Sequence, residues 1–143
     1  MILLDVNPLV YAFHADARRH DEWRTWLDHA VATGTVLRLC DHSVVGLYRI
    51  ATNRRAFSVP SVVGAVTTFV DALRARPTVQ FIHATSSTWA TFADLTRHDT
   101  QIRANVVPDA YLAALAISHG CRLATADRGF GRFPGLDFFD PTV

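Results

Sequence analysis

The chain has no lysine, and among its 143 residues it has one glutamate, one methionine and two cysteines. All fourteen basic residues are arginine, yet the formal net charge is only +1. This balance predicts no general affinity for polyanions. Guanidinium groups suit bidentate contacts to phosphate. The use of arginine alone is also explained by the base composition of the genome, and we favour this second explanation.

The cysteine count and the lack of long apolar runs exclude several classes of protein. Cys40 and Cys121 are too few for a disulfide framework and lack the spacing of a metal site. We expect two reduced, buried thiols, which are typical of a cytoplasmic protein. No window approaches 18 uninterrupted apolar residues, so no membrane span is expected. The N-terminus lacks a basic segment, and Asp5 interrupts its apolar start, so no signal peptide is expected.

Short apolar runs alternate with amphipathic segments along the whole chain. The length, with 50% hydrophobic residues, suffices for one domain over residues 1–143. The pattern predicts helices that open at Asn7-Pro8, at a Ser43 cap and at Pro60-Ser61, and others around 23–31, 85–97 and 108–119. Strands are predicted at 2–4, 36–39, 79–82, 122–125 and 136–139. This order favours a single three-layer α/β domain.

Three aspartates each follow a short apolar run. Asp5 comes after residues 2–4, Asp109 after 106–108, and Asp127 after 122–126. Because ligands of a parallel α/β sheet collect beyond the carboxyl ends of its strands, we expect these side chains to meet at one edge. Clustered carboxylates repel one another, and a divalent cation usually relieves that repulsion. The pattern therefore predicts Mg²⁺-assisted phosphate chemistry.

Each of these aspartates also has a purely structural explanation. Asp5 and Asp127 suit caps of the turns that follow them, and Asp109 suits the first turn of a helix, for about 1 kcal/mol or less apiece. Three such residues converging on one sheet edge favour a shared site over three separate caps.

Four segments, in order and at the usual spacing, resemble a PIN-domain ribonuclease of the VapC toxin type: LLDVNPLVYA, ATNRRAF, VPDAYLAALAISHGCRLATADRGFGRF and PGLDFFDP. The resemblance implies a PIN-like fold with a central parallel sheet of four or five strands flanked by helices. It also implies RNA cleavage that depends on Mg²⁺ or Mn²⁺, homodimers and inhibition by a cognate antitoxin. It assigns the metal site to Asp5, Asp109 and Asp127, and a supporting role to Asn7 and Thr125.

The chain departs from the family pattern at Gly46, where the family normally carries a glutamate. The only glutamate, Glu22, lies on a different predicted helix. Glycine inside a helix costs about 0.5–1 kcal/mol relative to alanine, and no turn or cap requires it here. Three explanations stay open: relief of repulsion in the metal site, selection or engineering against a harmful activity, and a naturally weakened nuclease. Asp41 is better explained as a turn residue than as a substitute carboxylate.

Arginines near this position are candidates for substrate contact. Arg49 shares a helix face with Gly46, so we predict that it binds RNA. Arg128 and Arg132 follow Asp127 closely, where phosphate contact, antitoxin contact and plain surface exposure compete. The three tryptophans lie on helical apolar stripes, where packing explains them better than base stacking: Trp23, Trp26 and Trp89.

The preferred function is a metal-dependent endoribonuclease toxin. The glycine at position 46 is expected to reduce its activity. One alternative is a catalytically weakened PIN module that mainly binds antitoxin and RNA. Another is a receiver-like phosphoacceptor domain, which would need an acidic pair beside the first strand and a lysine near the last. The chain has a single Asp5 there and no lysine, so this alternative is weak.

Overall fold

A parallel sheet of five short strands runs through the centre of the molecule, and the computed structural model describes it with all of residues 1–143. The strands are β1 (Ile2–Leu4), β2 (Leu37–Leu39), β3 (Val79–Phe81), β4 (Arg122–Ala124) and β5 (Phe138–Phe139). The helices are α1 (Val6–Phe13), α2 (His20–Ala32), α3 (Asp41–Ala51), α4 (Val63–Arg74), α5 (Ser86–His98) and α6 (Val107–Ser118). Two 3₁₀ turns cover Ala104–Val106 and Arg128–Arg132.

The strand order is β3-β2-β1-β4-β5, and every neighbouring pair is parallel. From β1 the chain adds β2 and β3 on one side and later β4 and β5 on the other. The winding direction therefore reverses between β1 and β4, and sheets of this kind bind ligands beyond the strand ends at such a point. Leu4 pairs with Ala124, so the two strands end level. The residues that follow them start about 4.8 Å apart.

Alternating side chains of the strands supply apolar surface to both faces of the sheet. Leu4 and Leu39 pack into a core with α1, α2, α3 and α4. Leu3 and Leu123 pack on the opposite face with α5 and α6. The predicted three-layer α/β architecture is therefore confirmed, with five strands in the sheet.

Helix α6 is buried on most of its sides, as the sequence predicts. Ala110 and the five residues from Leu112 to Ala116 are all buried. Gly120 ends the helix with φ +64°, a conformation that other residues rarely adopt. The burial holds α6 rigidly, so its first turn has a fixed position at the sheet edge. Neither α6 nor any other helix has the length and apolar composition needed to cross a bilayer.

Two helices begin earlier than the sequence predicts. Helix α1 begins at Val6, because the Asp5 carboxylate accepts the Val6 backbone N–H at 2.6 Å. Pro8 is therefore the third helical residue and not the first. Helix α3 begins at Asp41, so Ser43 lies inside its first turn and is buried, and the prediction of a Ser43 cap is wrong.

Helix α4 begins later than predicted, at Val63 and not at Pro60-Ser61. The Ser61 backbone N–H donates to the Ala51 carbonyl at 2.9 Å, which ties residue 61 to the end of α3 instead of to a helix of its own. Val62 precedes the helix and is 73% exposed. The predicted helix start was wrong because this hydrogen bond joins two residues that lie ten positions apart in the chain.

Candidate active site

Hydrogen bonds join the ends of β1 and β4. The Thr125 hydroxyl donates to Asp5 Oδ2 at 2.7 Å and accepts the Asp127 backbone N–H at 3.0 Å. Asp5 and Thr125 are buried, at 6% and 1% exposure, whereas Asp127 is exposed. A buried hydroxyl that both donates and accepts has a fixed orientation. Thr125 therefore holds the two ends of the candidate site in one arrangement.

Asp5 and Asp127 also cap the turns that follow them. Asp5 Oδ1 accepts the Val6 N–H at 2.6 Å, and Asp127 Oδ1 accepts the Gly129 N–H at 2.7 Å. The predicted role of Asp5 and Asp127 as caps of the following turns is thus confirmed. It does not account for the burial of Asp5, because a cap functions equally well when it is exposed to water. Each carboxylate oxygen has further lone pairs, so capping leaves acceptor sites free.

Asp109 is half-buried in the first turn of α6 and accepts no hydrogen bond from the protein. Its pKa is raised to about 6, first by burial and then by the charges of Asp5 and Asp127. Burial likewise raises the pKa of Asp5, and the charge of Asp127 adds to this effect. The three aspartates are therefore close enough at this edge to repel one another, as the strand order requires.

Two basic side chains oppose this repulsion. His42 and Arg132 both lower the pKa of Asp109. His42 is half-buried in the first turn of α3, and burial lowers its own pKa. His42 was not identified from the sequence, although it precedes Gly46 by four residues and so shares a helix face with it.

The donor set fits a hard divalent cation. Mg²⁺ binds through a few carboxylates, waters and substrate phosphate, and Mn²⁺ accepts the same oxygen ligands. The charges of Asp5 and Asp127 raise the pKa of Asp109, and such an ion would relieve this repulsion. The side chains do not form a finished cage, since no group of three or more His, Cys, Asp and Glu residues is arranged to hold an ion. A cation would therefore take only part of its coordination shell from the protein.

Gly46 is buried where helices α1 and α3 approach each other closely. A Cβ at this position would lie 2.7 Å from Val6 Cγ2 and 2.9 Å from Val6 Cγ1. Side-chain carbons do not come this close, so any larger residue requires Val6 to move. Gly46 lies inside α3, away from its caps, so no turn or cap requires glycine there. The close contact with α1 is a separate reason for a small residue, and the turn and cap patterns of a sequence do not show it.

The remaining candidate residues lie at the margin of the carboxylates. Asn7 is half-buried in the first turn of α1, and its side chain makes no hydrogen bond within the protein. Arg49 is exposed near the end of α3. Asp41 is exposed, with its carboxylate 3.5 Å from His83 Nδ1. A cleft of about 340 Å³ is lined by Val6, Asp41, His42, Val45, Gly46 and Arg49.

Comparison with known protein families gives one match, to the PIN domain, over residues 2–136. Ribonuclease VapC43 of Mycobacterium tuberculosis is 36% identical over 141 residues, which cover 99% of this chain and 95% of that protein. Ribonuclease VapC31 of the same species is 31% identical over 146 residues, which cover the whole of both proteins.

Solved structures show the same fold at lower sequence identity. VapC20 of Mycobacterium tuberculosis, a toxin that cleaves the sarcin-ricin loop, superposes with a TM-score of 0.67 at 18% identity, over 95% of this chain and 98% of that one. A chain of the VapBC2 complex from Rickettsia felis, bound to promoter DNA, superposes with a TM-score of 0.69 at 18% identity, over 97% and 98% of the two chains.

Proposed function

The chain belongs to the PIN domain family, and on that premise we propose that it is a metal-dependent endoribonuclease of the VapC toxin class, restrained by a cognate antitoxin. The observation that supports this proposal most is that the charges of Asp5 and Asp127, which follow β1 and β4 where the sheet reverses its winding, raise the pKa of Asp109. The ribonuclease names of relatives at 36% and 31% identity over nearly the full chain support the choice of RNA as substrate.

In this proposal Asp5 and Asp109 hold the divalent ion, and Asp127 binds a second ion or orients water. A bound Mg²⁺ or Mn²⁺ supplies activation of water and neutralises charge on the phosphodiester. Thr125 keeps the Asp5 carboxylate in a single orientation through its 2.7 Å hydrogen bond. Asn7, in the first turn of α1, is close in sequence to Asp5 and is a second candidate for support. No protein nucleophile is required.

The decisive experiment combines a metal titration with an assay of RNA cleavage. The unaltered protein should cut single-stranded RNA when Mg²⁺ or Mn²⁺ is added and should stop when EDTA removes the ion. Asp5→Asn should lower the cleavage rate by at least about 100-fold, because one lost ligand charge removes several kcal/mol of stabilisation at the metal. Its affinity for RNA in EDTA and its complex with the antitoxin should be unchanged.

Asp71→Asn is the matched control, because Asp71 is an exposed aspartate on α4 that pairs only with Arg74, at 3.7 Å. It should cut RNA at the rate of the unaltered protein. Cleavage that survives in Asp5→Asn, or that proceeds equally well in EDTA, would contradict the proposed metal site.

A catalytically weakened module that mainly binds antitoxin and RNA is the second candidate function. The contact between Gly46 and Val6 favours it, because a side chain at position 46 would begin with a Cβ only 2.7 Å from Val6 Cγ2. Metal-dependent cutting that is undetectable in the unaltered protein, together with tight binding of RNA, would favour this candidate over the nuclease.

The partners proposed for the chain are an antitoxin, an RNA and a second copy of itself. Structural relatives that crystallised as VapBC complexes support the antitoxin. Arg49, exposed on the cleft beside Gly46, is the proposed RNA contact of helix α3. The cytoplasm is the proposed location, in keeping with two free, buried cysteines, Cys40 and Cys121.

A further inference from the structure

Arg132 is held in a defined position beside the carboxylates. It ends the 3₁₀ turn that follows Asp127, and its backbone lies next to Phe133, which is 3% exposed and packs on Phe130 at a ring distance of 5.8 Å. The guanidinium Nε donates to Asp99 Oδ2 at 3.2 Å. Asp99 is itself fixed, because its other oxygen accepts the Gln101 backbone N–H at 2.9 Å.

This ion pair orients the arginine without using up its hydrogen-bonding capacity. Only Nε donates to Asp99, and the two terminal nitrogens donate to no acceptor in the protein. Both side chains are about one-third exposed, at 34% for Arg132 and 29% for Asp99, so the free nitrogens can reach a ligand. A guanidinium with two free NH₂ groups matches the geometry of a phosphate.

Arg132 lies near the candidate active site, because it ends the five-residue 3₁₀ turn that the Asp127 carboxylate caps. It is the one arginine among the groups that shift the pKa of Asp109, which it lowers. Arg49, the arginine predicted from the sequence, is not among those groups. The turn after Asp127 therefore brings the Arg132 guanidinium toward the carboxylate edge.

A cleft of about 640 Å³ begins at this arginine and runs between α5, α6 and the segment after Arg132. Its apolar wall includes Leu95, Ile102 and Ile117, and polar groups stand along its rim. The volume lies within the range of small-molecule sites. Five of the ten lining residues are polar or charged: Thr91, Asp94, His98, Asp99 and Arg132.

We propose that Arg132, oriented by Asp99, binds a phosphate of the RNA substrate and that the adjoining cleft receives the nucleoside attached to that phosphate. This inference rests on the proposed function, because it takes RNA as the substrate of the carboxylate site. It gives the cleft an occupant whose anionic end meets Arg132 and whose base meets the apolar wall.

The arginine is tested by the binding of a fluorescein-labelled single-stranded RNA of mixed sequence in EDTA, where the metal-dependent reaction is stopped. Arg132→Gln should weaken binding about 10-fold and should lower the salt dependence of log K by about 0.7, the value for one lost phosphate contact to a single strand. Arg132→Lys should restore the salt dependence but not the full affinity, because lysine lacks the planar fork.

Arg24→Gln is the matched control, because the Nε of Arg24 also donates to an aspartate, Asp28, at 3.0 Å, on the remote helix α2. It should leave RNA affinity and its salt dependence unchanged. Equal RNA binding by Arg132→Gln and Arg24→Gln would overturn the proposed contact, and so would a loss by Arg132→Gln of antitoxin binding alone.

The cleft is tested by calorimetry on the full chain, which compares the affinity for ribonucleoside 5′-monophosphates with the affinity for ribose 5-phosphate. The nucleotides should bind more tightly, and Thr91→Trp, which narrows the cleft, should abolish that difference while keeping the affinity for ribose 5-phosphate. Equal affinities in the unaltered protein would overturn the nucleoside site. If the protein cleaved no RNA with metal but Arg132→Gln still weakened RNA binding, the proposed nuclease activity would be contradicted and the RNA contact would not.

Discussion

At the residue scale, the three aspartates differ in how firmly the protein holds them. The buried carboxylate of Asp5 accepts two hydrogen bonds, and the exposed carboxylate of Asp127 accepts one. Asp109 accepts none and has its pKa raised to about 6. Asp109 is therefore the carboxylate that most needs a counter-charge and that can most easily adjust to one.

Asp109 should make the stability of the metal-free protein depend on pH. Its pKa is about 6 in the folded state, against an ordinary value of 3.8. Between these values the folded state keeps a proton that the unfolded state has released, so stability falls as pH rises from about 4 to 6 and is then flat. In EDTA, Asp109→Asn should therefore melt above the unaltered protein at pH 7, but not at pH 4.

Thermal unfolding followed by circular dichroism measures this difference. Adding Mn²⁺ at pH 7 should raise the melting temperature of the unaltered protein, since an ion that binds only the folded state stabilises it, and should do so far less for Asp109→Asn. A melting-temperature difference between the two proteins that is the same at pH 4 and pH 7 would contradict the assignment.

At the element scale, the close approach of α1 and α3 decides what can stand at position 46. Val6 follows Asp5 directly, so the helix that Asp5 caps also places the side chain that fills the space beside Gly46. Restoring a glutamate without a close contact to Val6 therefore calls for a second, smaller residue at position 6. Introducing a larger residue into a packed contact without relief costs about 1–3 kcal/mol.

The double variant Val6→Ala with Gly46→Glu should cut RNA at least about 10-fold faster with Mg²⁺ than the unaltered protein, because it adds a fourth carboxylate without the clash. Gly46→Glu alone should gain less activity and should unfold at a lower temperature. Cleavage rates under saturating Mg²⁺ and melting temperatures measure both effects.

The control replaces the glutamate by its neutral equivalent, in Val6→Ala with Gly46→Gln. The two double variants match in shape and differ in charge. Equal cleavage by the glutamate and glutamine forms would show that position 46 contributes no ligand in this chain.

At the scale of the whole molecule, one aromatic surface lies outside both cores. Trp23 is fully buried and Trp26 half-buried, so packing within the chain explains them. Trp89 on α5 is 53% exposed and lies 5.6 Å from Tyr111 of α6. Tyr111 lies in turn 6.2 Å from His42 of α3. The surface thus spans three helices. Its exposure excludes core packing for Trp89 and favours packing at an interface over base stacking.

The expected homodimer should therefore depend on Trp89. Exposed aromatic residues commonly dominate binding at interfaces, at 2 kcal/mol or more when truncated. Trp89→Glu should raise the dimer dissociation constant at least about 10-fold, measured by light scattering during size-exclusion chromatography. Val59→Glu is the control, because Val59 is 71% exposed on the loop before α4. An unchanged dimer in Trp89→Glu would place the interface elsewhere.

The sequence alone determined the alternation of strands and helices, the burial of α6 and the three-layer architecture. These features depend on local periodicity, which is written in neighbouring residues. It also placed Asp5 and Asp127 at strand ends, since an apolar run followed by a polar residue shows where a buried strand stops.

Only the tertiary structure decided the contacts between distant segments: Val6 against Gly46, Asp99 with Arg132, and His42 near Asp109. It likewise decided the late start of α4, through the hydrogen bond from Ser61 to Ala51. No periodicity or cap signal encodes such contacts, because they depend on how closely whole helices pack. The sequence showed which groups the edge of the sheet would carry, and packing determined which basic side chains lie near them.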